Sequence, residues 1–350
     1  MKNLKRLLLM FVTVLLLSIN VFCAFGCQTT STPGVNRHIH QYTEETKRPT
    51  ATQQGETVYT CACGEKYVEY TGYTGKKQVD MNGYSILFIG NSYTFWHDLP
   101  QLFKNVAKSA GIEVNVDSVT RGGYSLNQFS NENDQSVGSE TEIKDMGNGS
   151  LVAQKLKDNK YDIVFLQDFS TQAINNLQYF YIGVYRMNEK VKENGATSIL
   201  YQTWARKEGS PTLSNGLTVE SMTMRIAANY NVMGEALGVP VSPVGIAFYN
   251  CVNEYSEIEL YDDDKTHPSL AGHYLAALCH FATVYGLSPI GIEYKPDGLP
   301  SSVAEKLQNV AYNAVFKKTV IEEEYLVTKD MVEKELNDSG VFDTVIKFDN

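Results

Sequence analysis

The sequence predicts an α/β protein built on a five-stranded parallel sheet flanked by helices. Three observations carry that expectation. From residue 81 onward, short apolar runs alternate with stretches of helical spacing, the pattern of successive βαβ units. The first run, residues 85–89 (SILFI), is continuously apolar and stops at Gly90, as a strand buried on both faces does. Residues 270–285 read as a helix that is apolar on most faces, so it should be well buried.

The elements follow in order. After the first strand, Leu99, Leu102, Phe103, Val106 and Ala107 recur at helical spacing and Gly111 closes the helix. Residues 113–119 (EVNVDSV) alternate and read as a second strand. Residues 162–167 (DIVFLQ) are a third and residues 198–203 (SILYQT) a fourth, separated by a helix over 179–192 that stops at Gly195. A long helix over 217–237 ends at Gly238, and residues 239–244 make a fifth strand. Pro240 and Pro243 keep that strand short or at an edge. A further amphipathic helix is expected over 303–315. The charged tail after 316 should add a strand and a helix. In parallel sheets of this kind ligands bind at the carboxyl ends of the strands. The chemistry is therefore expected just after Ile89, Val119, Gln167 and Thr203.

The rest of the chain divides by composition. Lys2, Lys5 and Arg6 precede residues 7–22, which are almost wholly apolar. This predicts an export segment rather than part of the fold. It closes in Ala24-Phe25-Gly26-Cys27, and small residues before a Cys resemble the lipobox of bacterial lipoproteins. That resemblance implies lipidation at Cys27, although Ala24 stands where Leu is usual. Ordinary cleavage and a retained membrane helix stay open beside it. All three readings put the remainder outside the cytoplasm, extracellular or at the cell surface, meeting the membrane only through its N-terminal anchor. The expected plan is residues 1–27 for export, 28–37 as linker, 38–80 as a small β-rich Cys/His segment, 81–317 as the main domain and 318–350 as an extension.

The segment 38–80 resembles a short Cys-containing repeat of Gram-positive surface proteins, with Ala51 in place of its first Cys. His38, His40, Cys61 and Cys63 match zinc in number, but a C-x-C spacing suits it poorly, so no metal is expected. Six cysteines spread in this way are not a disulfide scaffold. Cys251 and Cys279 could pair, but a buried free thiol fits Cys279 better. The net charge of −10, with no long basic stretch, argues against nucleic acid as a partner.

Two blocks carry chemistry. Gly90-Asn91-Ser92-Tyr93-Thr94 follows the first strand directly. A Ser at such a strand-to-helix turn can expose its hydroxyl and aim its own N–H at a developing oxyanion. Taken alone, a helix-capping Ser explains it as well. Asp264-Lys265-Thr266-His267-Pro268 puts a carboxylate three residues before an imidazole. The carboxylate can orient the ring, and the ring can accept a Ser proton. By itself this is also an acidic surface loop. His97 is a rival base by its nearness to Ser92, but it falls in the next helix. His273 and His280, on the late helix, are expected to be structural.

Together the two blocks resemble the SGNH, or GDSL-like, hydrolases over residues 81 to about 312. The resemblance implies that family's flavodoxin-like fold and an ester hydrolase with Ser92 as nucleophile, His267 as base and Asp264 as its orienting acid, with no cofactor. Gly122-Gly123-Tyr124-Ser125 stands where the family has an oxyanion-hole glycine, which implies Gly123, with Gly122 as the fallback. The family's third block, G-x-N-D, is replaced by Leu166-Gln167-Asp168-Phe169-Ser170. This is closer to the L-Q-E-x-S version of a bacterial subgroup and to the Q-G-E of carbohydrate acetylesterases, and it implies the Gln167 amide as a further oxyanion donor. Asn91 replaces an Asp that organises the loop. Trp96-His97-Asp98-Leu99-Pro100, Thr203 to Arg206 and His267 to Ala277 are also similar to that subgroup. Trp204 and Arg206 are expected in the substrate cleft, Trp204 either stacking on a sugar or belonging to the core. The function implied is an exported serine esterase acting on a glycan or small-molecule ester, by preference a carbohydrate O-acetyl group. Lipid or thioester hydrolysis, acyl transfer, and a glycan-binding protein without catalysis stay open.

Overall fold

The computed structural model describes residues 41–47, 55–71, 82–131, 148–213, 216–317 and 319–348. The export segment, the proposed lipidation at Cys27, the linker and His38 and His40 lie outside these residues.

A small three-stranded sheet comes first, with strands β1 (Tyr42–Lys47), β2 (Gly55–Cys61) and β3 (Lys66–Thr71) in the order β1-β2-β3. The Cys-x-Cys-Gly stretch is the tight turn between β2 and β3. Cys61 N–H donates to the Glu65 carbonyl at 2.8 Å, and Gly64 takes a φ of +95° that favours glycine. Cys61 is buried and Cys63 exposed. No cluster of three metal-ligating side chains occurs among the described residues.

The main domain carries the expected parallel sheet. Its strands are β4 (Tyr84–Gly90), β5 (Val114–Thr120), β6 (Ile163–Leu166), β7 (Thr197–Tyr201) and β8 (Val241–Ser242), ordered β5-β4-β6-β7-β8. All four pairs of neighbouring strands are parallel, with Ile86 opposite Val116 on one side and Ile163 on the other. Alternate side chains of the central strand feed two separate apolar layers. Ile86 and Phe88 pack on one face with Phe165 and Tyr201; Leu87 and Ile89 pack on the other with Leu166 and Leu200. A strand covered on both sides has no polar face, which is why residues 85–89 read as one apolar run.

The helices are α1 (Ser92–Phe95), α2 (Leu99–Ser109), α3 (Leu126–Ser130), α4 (Asn148–Asp158), α5 (Gln172–Asn175), α6 (Leu177–Asn194), α7 (Val219–Leu237), α8 (Val244–Glu254), α9 (Leu270–Tyr285), α10 (Ser301–Phe316) and α11 (Lys329–Asp338). Helices α2, α8, α9 and α10 contribute to the first layer, and α3, α6, α7 and α11 to the second. Helix α9 is buried along nearly its whole length, as its composition predicts, and Ser269 caps it by accepting the Gly272 N–H. No helix among the described residues is long and apolar enough to cross a membrane.

Three expectations need correction. The fifth strand shrinks to two residues, because Pro240 and Pro243 flank it and α8 begins at Val244. The tail supplies α11 but no strand among its described residues. His97 does not lie within a regular helix. It and Asp98 both take left-handed backbone, at φ +51° and +52°. Cys251 and Cys279 are buried free thiols.

Helix α6 reaches α3 through Gly183, where a β-carbon would stand 2.4 Å from the Asn127 backbone nitrogen. Backbone cannot yield to it as a flexible side chain would. Gly183→Ala should therefore lose about 1–3 kcal/mol in urea denaturation, despite the better helix propensity of Ala.

Candidate active site

The Ser92 turn is fastened from below. Strand β4 ends at Gly90, and a β-carbon there would lie 2.3 Å from Thr94 Oγ1 and 2.4 Å from Gln167 Oε1. Gln167 Oε1 accepts the Asn91 N–H at 2.8 Å and the Thr94 hydroxyl at 2.9 Å. Asn91 is buried. Its Nδ2 donates to the Tyr124 carbonyl at 2.9 Å and its Oδ1 accepts the Tyr93 N–H at 3.1 Å. It organises the loop, as expected of the residue replacing Asp. Ser92 is thereby held as the first residue of α1, where its N–H has no intrahelical acceptor.

The second strand-end loop and the late turn come to the same place. Ser92 Oγ lies 2.8 Å from His267 Nε2, and His267 Nδ1 is hydrogen-bonded to Asp264 Oδ2. The other Asp264 oxygen accepts the N–H groups of Thr266 at 2.9 Å and His267 at 2.8 Å. Lys265 closes this turn with a φ of +60°. Burial alone would push the Asp264 carboxyl up. The bonds from His267 and from the Thr266 and His267 N–H groups outweigh it and hold the carboxyl down at about 2. Asp264 thus stays ionised across the range in which an ester hydrolase works. It can fix the ring so that Nε2 faces the hydroxyl as a base.

In the loop after β5, Gly123 takes a φ of +71° and lines a cavity of about 290 Å³ with Ser125, Asn127, Gln128, Phe169, Gln172 and Tyr179. Gln167 does not face this space. Its side chain is fully buried, Oε1 serves the Ser92 turn, and Nε2 turns back to the carbonyl of Asp168. The expected side-chain oxyanion donor is therefore corrected to a support of the Ser92 turn. The remaining candidate donors are the backbone N–H groups of Ser92 and Gly123.

Trp204 and Arg206 are likewise corrected. Trp204 has no exposed surface. Its ring is sandwiched between Tyr93 at 4.2 Å and Phe248 at 4.3 Å, nearly parallel to both. Its Nε1 donates to the Thr266 carbonyl at 3.1 Å, so it braces the loop that carries His267. Arg206 is buried, and its guanidinium donates to Tyr93 Oη and to Ser170 Oγ, the latter at 2.8 Å. Burial pushes the Tyr93 hydroxyl up to about 12, the Arg206 charge pulling the other way. Tyr93 therefore stays neutral beside His267, its ring edge-on at 5.7 Å. His273 and His280 are fully buried, and desolvation pushes both down to about 3. His273 Nε2 meets the Tyr93 carbonyl at 3.0 Å and His280 Nδ1 meets Ser242 Oγ at 2.8 Å, in keeping with structural roles. His97 is exposed and faces His273, not Ser92.

Sequence reasoning overlooked Trp96, Asp262 and Asp168. Trp96 stacks on His267 at 4.5 Å, and its Nε1 donates to Asp262 Oδ2 at 2.7 Å. The Trp-His-Asp-Leu-Pro stretch was the available signal. Asp168 is fully buried, with Oδ1 accepting the N–H groups of Leu126 and Phe169, both at 2.7 Å, and Oδ2 without a partner. It pins the loop that carries Gly123. Burial pushes its carboxyl up to about 7 against the pull of those two bonds.

No protein-family profile matches the chain, and no curated protein matches it. Among solved structures it is similar to a DUF4886 family protein from Bacteroides uniformis, at 20% identity and a TM-score of 0.58, over 69% of this chain and 99% of that one. It is also similar to a candidate SGNH hydrolase from Slackia heliotrinireducens, at 27% identity and a TM-score of 0.48, over 58% of this chain and 100% of that one. A candidate GDSL-like lipase from Parabacteroides merdae follows at 12% identity and a TM-score of 0.42, over 59% and 96% of the two chains. What the chain shares with the Bacteroides protein is a fold, the five-stranded parallel α/β sheet flanked by helices described above.

The Asp168 carboxyl carries a pH signature. In the unfolded chain it titrates near about 3.9, in the native protein at about 7. Between those values the native state binds a proton that the unfolded state has lost. The stability from this group is present at low pH and is lost as pH rises through 7. Asp168→Asn mimics the protonated acid. Its melting temperature should fall less between pH 4.5 and 7 than that of the unaltered protein, as read by differential scanning calorimetry.

Proposed function

We propose that the protein is an exported carboxylic ester hydrolase that transfers an acyl group through Ser92 and then to water. The observation that carries this reading is the alignment of Ser92 Oγ at 2.8 Å from His267 Nε2, with Asp264 on the opposite ring nitrogen. His267 takes the Ser92 proton as the hydroxyl oxygen bonds to the ester carbonyl carbon. Asp264, ionised, stabilises the imidazolium that forms. The Ser92 and Gly123 N–H groups are suited to the negative charge on the tetrahedral oxygen. The imidazolium then returns its proton to the departing alcohol, leaving an acyl-Ser92 ester. Water, deprotonated by the same ring, hydrolyses that ester and regenerates the hydroxyl.

For the substrate we favour an O-acetylated carbohydrate. The cavity beside Gly123 supports this choice. Its described lining includes Asn127, Gln128 and Gln172 with Phe169 and Tyr179, and no charged residue. Neutral amides and aromatic rings suit the hydroxyls and apolar faces of a sugar. A phosphate would call for a cation, and a long acyl chain for an unbroken apolar wall. The apolar residues 7–22 and Cys27 support export and a lipid anchor at the cell surface.

The test is hydrolysis of p-nitrophenyl acetate, p-nitrophenyl butyrate and acetylated xylan by the unaltered protein and by Ser92→Ala. Turnover should fall by roughly four to six powers of ten in the variant. Acetate should be preferred to butyrate, and acetylated xylan should release acetate. Equal turnover in both proteins would remove Ser92 as the nucleophile, and a preference for butyrate would remove the acetyl specificity.

A further inference from the structure

We propose that Trp96 and Asp262 form a second hold on the His267 ring and act as positioning residues for the esterase proposed above, on which this inference rests. Asp264 grips the imidazole at a single edge atom, Nδ1. One bond at an edge leaves the ring free to tilt and swing about it, which would carry Nε2 away from Ser92. The ring faces supply the missing constraint. The Trp96 indole lies against one face at 4.5 Å and 18° from parallel, while the Tyr93 ring meets the imidazole edge-on at 5.7 Å.

Trp96 is itself fixed by the turn it supports. Its Nε1–H donates to Asp262 Oδ2 at 2.7 Å. Asp262 belongs to the same turn as His267: its N–H donates to the His267 carbonyl at 2.9 Å, and its carbonyl accepts the Lys265 N–H at 2.9 Å. The contacts thus close a ring from His267 through the turn to Asp262, across to Trp96, and back onto the imidazole by stacking. Immediately after Trp96, His97 and Asp98 both adopt left-handed backbone. Two adjacent non-glycine residues in that region are strained, and such strain persists where the surrounding contacts over-determine it. Here it lets the chain leave α1, present the indole to His267 and start α2 at Leu99.

The arrangement also fits the charge that develops. When His267 receives the Ser92 proton the ring becomes a cation, and the face of an indole attracts a cation. Trp96 therefore favours the protonated ring during acyl transfer as well as aiming it. Asp262 does not touch the reacting atoms and acts through Trp96.

The experiment compares Trp96→Ala, Trp96→Phe and Asp262→Ala with the unaltered full chain, using p-nitrophenyl acetate kinetics and the low-field proton resonance of the His267–Asp264 hydrogen bond. The melting temperature of each variant checks that it is folded. Trp96→Ala should lower kcat at least tenfold with KM changed less than threefold, and its low-field proton should exchange too fast to be seen. Trp96→Phe keeps an aromatic face and should recover part of the lost kcat; Asp262→Ala should fall between the unaltered protein and Trp96→Ala. A Trp96→Ala variant with kcat within twofold of the unaltered protein would overturn the proposal. So would a loss confined to KM, which would make Trp96 a substrate contact. If the unaltered protein hydrolyses no ester, the esterase reading fails and the substrate-free resonance decides the latch alone. A signal present in the unaltered protein and lost in Trp96→Ala supports the latch, and equal behaviour in both overturns it.

Discussion

The Ser92 hydroxyl meets the His267 imidazole because the chain leaves β4 through a turn with no room for a side chain at Gly90. Thr94 and Gln167 occupy the space a β-carbon would need. Gln167 reaches across from the end of β6 to accept from both the Asn91 N–H and the Thr94 hydroxyl. One amide oxygen therefore sets the path of the backbone that carries Ser92. Such a contact is effective only in a dry, close-packed setting, where a lost partner cannot be replaced by water. The two apolar layers over the sheet provide that setting.

The histidine loop depends on the same centre by a different route. Tyr93 follows Ser92 in sequence and stacks on Trp204, whose indole N–H holds the Thr266 carbonyl. The Ser92 turn and the His267 turn are thus joined through a column of flat rings, with Phe248 of α8 on the far side. Flat rings lose little conformational freedom when ordered and resist sliding once stacked. Gly245 lets α8 approach closely, since a β-carbon there would lie 2.1 Å from the Thr203 carbonyl. The polar groups of the site are therefore aimed by parts of the core. The segment after β7 that was expected to bind substrate serves as the brace.

Much of this was legible in the sequence. The succession of strands and helices and the buried helix α9 follow from period and composition, whereas the meeting of Ser92 with His267 and Asp264 was implied by the resemblance of the two blocks together, since each alone reads equally as a helix cap or an acidic loop. Gln167 was misread, and Trp204 was left open between cleft and core, for a shared reason. Sequence tells that a residue stands at the end of a strand, but the direction of its side chain is decided by neighbours far along the chain. Gln167 turns toward Asn91, 76 residues away. Trp204 turns toward Thr266, 62 residues away. The same distance hid Trp96, whose partner Asp262 looked like one of three consecutive acids on a surface loop. The fifth strand is short and at the sheet edge, as its two prolines foretold, with only two paired residues between them.

The most direct test of the central claim is covalent labelling of the full-length protein with a fluorophosphonate, followed by peptide mass spectrometry. Phosphonylation needs a serine activated by a neighbouring base, so it reads the Ser92–His267 pair without any assumption about the natural ester. The account predicts a single adduct on the peptide that contains Ser92. An adduct on another residue, or none after prolonged exposure, would contradict it.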